Sequence, residues 1–273
     1  MAGTHGESEE RNLSWFDWSY PCGLTADGSR LLLEDQASAR RSDEHSIHMR
    51  ETDGSPAVHL GEGTARGGFS PDGKWIACIT GANRGAFQLL PTGAGQPRRL
   101  DHAPVETLFS WLWARDGLNL FIWGSEASSV MRMWQLPLDG GPARRVGPEG
   151  MGWPSAESLD GRLVGVARDG SPAIFRLDDT EAAPVPTSEP GDTPLQWTRD
   201  GNSVLVYRSA RDSVRIDAID LVTGERTLWR ELRPHDPAGI LGLMPILIAA
   251  NGESYAYGFR RMLSETYIID GLL

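Results

Sequence analysis

Few residues in this chain are placed to do acid–base or metal chemistry. Its six histidines stand at 5, 45, 48, 59, 102 and 235. The densest polar group is Asp43, Glu44, His45 and His48, in a stretch that reads as a loop. Metal ligands need fixed geometry and an oriented outer ring of hydrogen bonds. A loop offers neither, so this group is expected to be solvated, with no metal and no cofactor. A nucleophile elbow of the G-x-S-x-G type is absent. Protein-kinase signatures are absent too: there is no Gly-rich loop, no H-R-D and no D-F-G. One carboxylate, Glu157, stands apart, and its meaning depends on the elements that hold it.

Those elements are marked by six turns: Asp27-Gly28, Asp72-Gly73, Asp116-Gly117, Asp160-Gly161, Asp200-Gly201 and Asn251-Gly252. They are spaced by 45, 44, 44, 40 and 51 residues. Asp-Gly and Asn-Gly favour tight hairpins because both residues tolerate positive φ. A strand-sized apolar run follows each turn, at residues 31–33, 75–79, 120–123, 163–166, 204–207 and 255–257. A loop, a second apolar run, a second turn and a short strand such as "PRRL" or "ARRV" complete each unit. A period of this length with four strands per unit is the signature of a β-propeller blade. The fold expected is therefore all-β: a single six-bladed propeller of four-stranded antiparallel blades, strands A to D running from the channel outward.

Six residues before each turn, in strand A, the chain has Pro21, Arg66, Ser110, Pro154, Pro194 and Pro245. Proline removes a ladder donor and is tolerated at a sheet edge. This column fits a strand whose inner edge faces the channel. Three residues before each turn stand Leu24, Phe69, Trp113, Glu157, Trp197 and Ile248. Glu157 is thus a lone acid among bulky apolar residues. Either a local bulge exposes it, or it is a functional carboxylate with a raised pKa. Divalent-metal hydrolases or lyases with a channel site need inward acids from several blades. Here only Glu106, Glu157 and Gln196 lie in or beside strand A segments, so that reading is kept as the alternative.

The ends suggest how the ring closes. Residues 1–10, "MAGTHGESEE", are polar and acidic and read as a disordered leader; their abrupt polarity also suggests a segment of a longer protein. The propeller is expected over 11–273. The sixth unit reaches Leu273 without a strand D. Residues 11–17, which begin "RNLSW", are expected to supply it, as a clasp between the first and last blades.

Composition narrows the function. A formal charge of −11, with basic pairs scattered at Arg40-Arg41, Arg98-Arg99, Arg144-Arg145 and Arg260-Arg261, argues against nucleic acid. No apolar run is long enough for a membrane helix, and the chain is read as a monomer. Cys22 and Cys78 do not make a disulfide framework. The ten tryptophans are expected chiefly to fill the wedges between blades. Loops of varied length cluster on the D–A and B–C rim, the top, and function usually sits on such loops. Trp18, Tyr20, Arg66, Trp153, Arg211, Arg260 and Arg261 are the candidate binding residues there, since aromatics and arginines are common interface anchors.

The motif "FSPDGKWIA", with "LTADGSRLLL", "WARDGLNLFIW", "SLDGRLVGV", "WTRDGNSVLVY" and "AANGESYAYGF", resembles the TolB-like propeller repeat, a relative of the WD-type repeats. The segments "RNLSWFDWS", "ETDGSPAVHLGEG", "LLPTGAGQPRRL" and "SYAYGFRRMLSETYIIDGL" resemble the C-terminal propeller region of certain bacterial serine/threonine protein kinases. That resemblance implies a sensor or interaction module, extracytoplasmic in the parent protein, without chemistry of its own. It implies a protein, peptide or small-ligand partner on the top face, and it supplies no catalytic residue.

Overall fold

The computed structural model describes residues 1–7, 9–37, 44–81, 86–127 and 129–262. Among these there is no helix, and hence none long and apolar enough to cross a membrane. The strands form six antiparallel blades in a ring. Blade one, from the channel outward, is Ser19–Leu24, Arg30–Asp35, Ser46–Glu51 and Val58–Glu62. Blade three is Thr107–Trp113, Asn119–Ser125, Arg132–Pro137 and Arg144–Arg145. Blade four is Met151–Glu157, Leu163–Ala167, Pro172–Phe175 and Ala183–Pro184. Blade five is Thr193–Trp197, Ser203–Ser209, Val214–Asp220 and Arg226–Leu232. Blade two pairs Trp75–Thr80, Ala86–Pro91 and Arg98–Arg99; residues 64–69 supply its inner edge through the single bridges Thr64↔Ile79 and Phe69↔Ile76.

Four of the six A–B turns share one hydroxyl bond. In blade one the Asp27 carboxylate accepts from Thr25 Oγ1 at 2.6 Å and from Ser29 N at 3.0 Å. Ser70–Asp72, Ser158–Asp160 and Thr198–Asp200 repeat the hydroxyl bond at 2.6, 2.6 and 2.7 Å. The glycine that follows sits at positive φ, +75° at Gly28 and +68° at Gly73, where a side chain would be strained.

The core is six wedges, one per blade junction. Strand B alternates its side chains between the two. Leu32 packs towards blade two with Cys22, Phe69 and Ile76, whereas Leu31 and Leu33 pack towards blade six with Leu13 and Ala256. Phe121 faces blade four, while Leu120 and Ile122 face blade two. Both faces of each strand B are therefore buried, which explains the continuous apolar runs after the turns. Tryptophans bond the blades together: Trp113 Nε1 donates to Gly68 O, and Trp197 Nε1 to Ala156 O, each at 3.3 Å. Cys22 and Cys78 are buried free thiols within the first of these wedges.

Blade six corrects the reading of the ends. Its inner strands are Ile240–Ile248 and Ser254–Arg261, and the N-terminus supplies both outer ones, Ala2–Thr4 and Glu10–Arg11. Ala2–Thr4 and Glu10 are thus in paired strands and not in a disordered leader, and the outer strand is Glu10–Arg11 rather than 11–17. Ala2 faces Ala256, and Gly3 faces Tyr255. A Cβ on Gly3 would stand 2.6 Å from the Tyr255 hydroxyl, so only glycine fits there. Glu10 accepts from Tyr255 Oη at 2.8 Å and from Tyr257 Oη at 2.6 Å. His5 stacks on Trp229 at 4.5 Å, and Leu13 is buried between blades six and one. The second apolar run and second turn expected in the sixth unit fall within residues 263–273, which lie outside the described residues.

Candidate functional site

The top rim is assembled from the upper ends of strands A and B. Strand A is irregular in five blades, with register shifts at one level at Pro21/Gly23, Pro154/Ala156 and Pro194/Gln196, and beginning two residues nearer the top at Leu108/Ser110 and Leu243/Ile246. Such β-bulges re-aim side chains. Phe109 and Met244 lie inside these irregularities, and Leu241 and Trp153 inside neighbouring ones. All four are exposed, at 44%, 58%, 54% and 39%. The bulges thus turn large apolar side chains out of the wedges at the channel mouth.

Around these residues runs a crown of aromatics and arginines. Phe109 and Trp123 pack edge to face at 4.9 Å, and Trp123 meets Trp153 at 5.8 Å. The Arg66 guanidinium stands 5.9 Å above the Phe109 ring, and Arg260 lies 5.9 Å from the Trp18 ring. Tyr20 is half-buried between these arms. Burial raises its phenol pKa, and the nearby Arg66 and Arg260 charges act against that rise. Of the seven candidates, Trp18, Tyr20, Arg66, Trp153 and Arg260 therefore take part in this crown. Arg211 is exposed on the loop after Ser203–Ser209. Arg261 is ion-paired with Asp236 at 3.0 Å and lies over Phe259. Trp123 was missed because it reads as a wedge filler of strand B, and Phe109 because no pattern in the sequence marks it.

Beneath Tyr20 lies a buried acid, Glu34, whose oxygens accept from Ala65 N at 2.6 Å and meet His45 Nδ1 at 3.0 Å. That bond raises the His45 pKa. His48, expected on a loop, is in the strand Ser46–Glu51, buried against Phe16 and His59, and burial lowers its pKa. Asp43 lies outside the described residues. Among the described residues no three His, Cys, Asp or Glu side chains come close enough to share a metal ion.

Glu157 sits at the opposite, lower mouth. It lines a cavity of about 230 Å³ with Arg115, Gln196, Trp197 and Arg199. Its Oε2 accepts from Arg115 N of blade three at 2.7 Å. The carboxylate thus does in its column what Trp113 and Trp197 do in theirs: it reaches back and bonds the preceding blade. Burial raises its pKa above the usual 4.5, against the pull of the Arg115 bond.

No family model matches the chain, and no curated protein matches it in sequence. Solved structures do. A protein assigned as TolB from Agrobacterium tumefaciens superposes with a TM-score of 0.64 at 20% identity, over 89% of this chain and 90% of the other. TolB from Acinetobacter baumannii gives 0.61 at 13%, over 80% and 54%. An oligogalacturonate lyase in complex with manganese gives 0.55 at 16%, over 89% and 69%. The chain has a TolB-like six-bladed β-propeller fold. That fold is shared by TolB and by a lyase, so it does not by itself assign an activity.

Proposed function

We propose that this propeller is a non-catalytic recognition module that binds a protein, peptide or small ligand on its top face. We place it, from the resemblance to kinase propeller regions, as the sensing end of a larger bacterial signalling protein. The observation that carries the reading is the crown itself. Bulges in strand A spend wedge-filling side chains on exposure, and exposed aromatics beside arginines are typical recognition anchors. The alternative, a metal-dependent channel hydrolase or lyase, has less to build on. Its carboxylate, Glu157, is held by a backbone N–H, and among the described residues no group of three acids, histidines or cysteines forms around it.

The test compares the chain with a Phe109→Ala/Trp153→Ala variant and with a lower-rim control, Leu118→Ser. Each is immobilised and exposed to extract of the source cells. Components retained by the unaltered chain and the control, and released by the crown variant, are the expected result. Retention that survives loss of the crown, or that needs Leu118, overturns the assignment of the face.

A further inference from the structure

At the junction of blades four and five the chain grips one of its own cations between two lower turns. The Arg162 guanidinium lies 4.7 Å from the centre of the Trp197 ring. Its Nε donates to the Asp160 carboxylate at 2.9 Å, and its Nη2 donates to Gly201 O at 3.0 Å. A ring face, a turn carboxylate and the carbonyl of the next turn's glycine thus hold one planar cation.

The junction of blades two and three has the same frame. Trp113 Nε1 donates to Gly68 O and Trp197 Nε1 to Ala156 O, each carbonyl standing four residues before a turn aspartate. Asp72 matches Asp160, each accepting a serine hydroxyl at 2.6 Å. Gly117 matches Gly201, at φ +68° and +72°. What differs is the cation. The residue whose N–H donates to the turn serine is Arg162 in blade four and Trp75 in blade two. Among the described residues no guanidinium stacks on Trp75 or Trp113.

A cavity of about 650 Å³ opens at this place, within the roughly 300–1,000 Å³ of small-molecule sites. Both indoles line it, together with the carboxylates of Asp72, Asp116 and Asp139. Its one cationic wall residue, Arg98, donates to Leu138 O. Lys74 approaches Asp72 only to 3.7 Å, and its side chain is largely in solvent. Three acids against one arginine, beside two indole faces, select a cation over an anion. Pro71, Leu89 and Pro137 add apolar wall, and the volume leaves room for more than a bare guanidinium.

We propose that this lower-rim groove between blades two and three binds a small organic molecule carrying a guanidinium on an apolar body. The guanidinium takes the place that Arg162 holds between blades four and five, among Asp72, Gly117 O and the Trp113 ring. The body lies against Pro71 and Pro137. The site is on the face opposite the crown and does not depend on the recognition reading above. Leu118 also borders the groove, but a small, exchanging cation is washed from an immobilised chain and does not enter the retention test.

The experiment titrates the whole chain with phenethylguanidinium, phenethylammonium, the neutral phenethylurea and acetyl-Phe-Arg-amide, followed by calorimetry. Phenethylguanidinium should bind about tenfold more tightly than the urea. The ammonium should fall between them, because it lacks the planar fork. Trp75→Arg gives blade two the residue of blade four and should fill the site from within, weakening phenethylguanidinium about tenfold or more. Asp72→Asn keeps an oxygen to accept from Ser70 and loses the charge, and should weaken it about five- to tenfold; this second variant carries the test where Trp75→Arg does not fold. Equal binding of guanidinium and urea, an ammonium as tight as the guanidinium, unaltered binding in either folded variant, or no binding of any probe overturns the site. Tighter binding of the peptide than of phenethylguanidinium overturns the small-molecule assignment in favour of a partner's arginine.

Discussion

Glu10→Ala is the change that tests blade six most directly. The Glu10 carboxylate accepts two phenolic O–H groups, at 2.8 Å from Tyr255 and 2.6 Å from Tyr257, and both tyrosines are 1% exposed or less. Hydrogen bonds to a charged partner contribute about 1.5–3 kcal/mol each, and removing one partner strands the other. Glu10 is itself only partly buried, so solvent recovers some of this; about 3 kcal/mol is the expected loss for the pair. For a domain of this size that corresponds to a fall in Tm of about 6–12 °C. The assay is urea and thermal unfolding of a double-mutant cycle: Glu10→Ala, Tyr255→Phe/Tyr257→Phe, and the combination. In the phenylalanine background Glu10→Ala should cost less than about 1 kcal/mol, because its partners are gone. The pH response follows from the same contact. Burial, and then Glu10, push both phenols well above the ordinary 10.0. The stability they contribute is therefore complete below pH ~10 and is lost as pH rises through the folded values. The phenylalanine pair should lessen that alkaline loss. A Glu10→Ala protein as stable as the unaltered chain, or strictly additive effects in the cycle, would show that the N-terminal strands do not close blade six as described.

Gly3→Ala should destabilise the fold by about 1–3 kcal/mol, since the new Cβ meets the Tyr255 hydroxyl; an unchanged urea midpoint refutes the packing. Trp197→Phe should cost about 1–2 kcal/mol by leaving Ala156 O without its indole donor, read by the same unfolding curves. Glu157→Gln should be neutral or slightly stabilising at pH 7, because the burial that raises the Glu157 pKa disfavours its charge above the usual 4.5 while the amide oxygen still accepts from Arg115 N. Glu157→Ala strands that N–H and should cost about 1 kcal/mol or more; the opposite ranking of the two variants would point to a carboxylate needed ionised. Acid titration should expose the turns: hydroxyl bonds hold the Asp27 and Asp160 carboxyls down to about 2 from 3.8, so their contribution is complete above pH 3.8 and is lost as pH falls towards 2. Asp27→Asn should flatten that acid slope by a fraction of the ordinary amount, because the group is largely solvated.

The repeat was legible because its signals are local. An Asp-Gly turn constrains four residues, and a strand B buried on both faces must be apolar throughout, as Leu31, Leu32 and Leu33 are. The N-terminus was not legible for the opposite reason. Ala2–Thr4 has no hydrophobic pattern, and its place is set by a backbone ladder, a glycine-sized gap and a carboxylate bonded to tyrosines 245 and 247 residues away. Glu157 announced itself as the odd residue of its column, yet its partner is a main-chain N–H of another blade, and every residue but proline carries that group, so no sequence pattern marks it.

The crown divides along the same line, and the division says where its function comes from. Trp18, Arg66, Trp153 and Arg260 could be found because they stand at or beside the strand ends, where rim residues are expected. Phe109 lies within strand A, where alternation assigns every second residue to a wedge. A bulge breaks that alternation by one residue and reverses the assignment. At Leu108/Ser110 it sends Phe109 to the channel mouth while Leu108 and Trp111 stay buried. The prolines of strand A mark several of these bulges, since a residue without an N–H cannot hold the ladder in register. The proline column that first identified the inner strand is thus also the device that opens it. Removing it by Pro154→Val should restore the ladder between Met151–Glu157 and Leu163–Ala167 and draw Trp153 from the mouth. Reduced quenching of Trp153 by acrylamide is the expected result, and unaltered exposure of that indole would show that the bulge is held by something other than the proline.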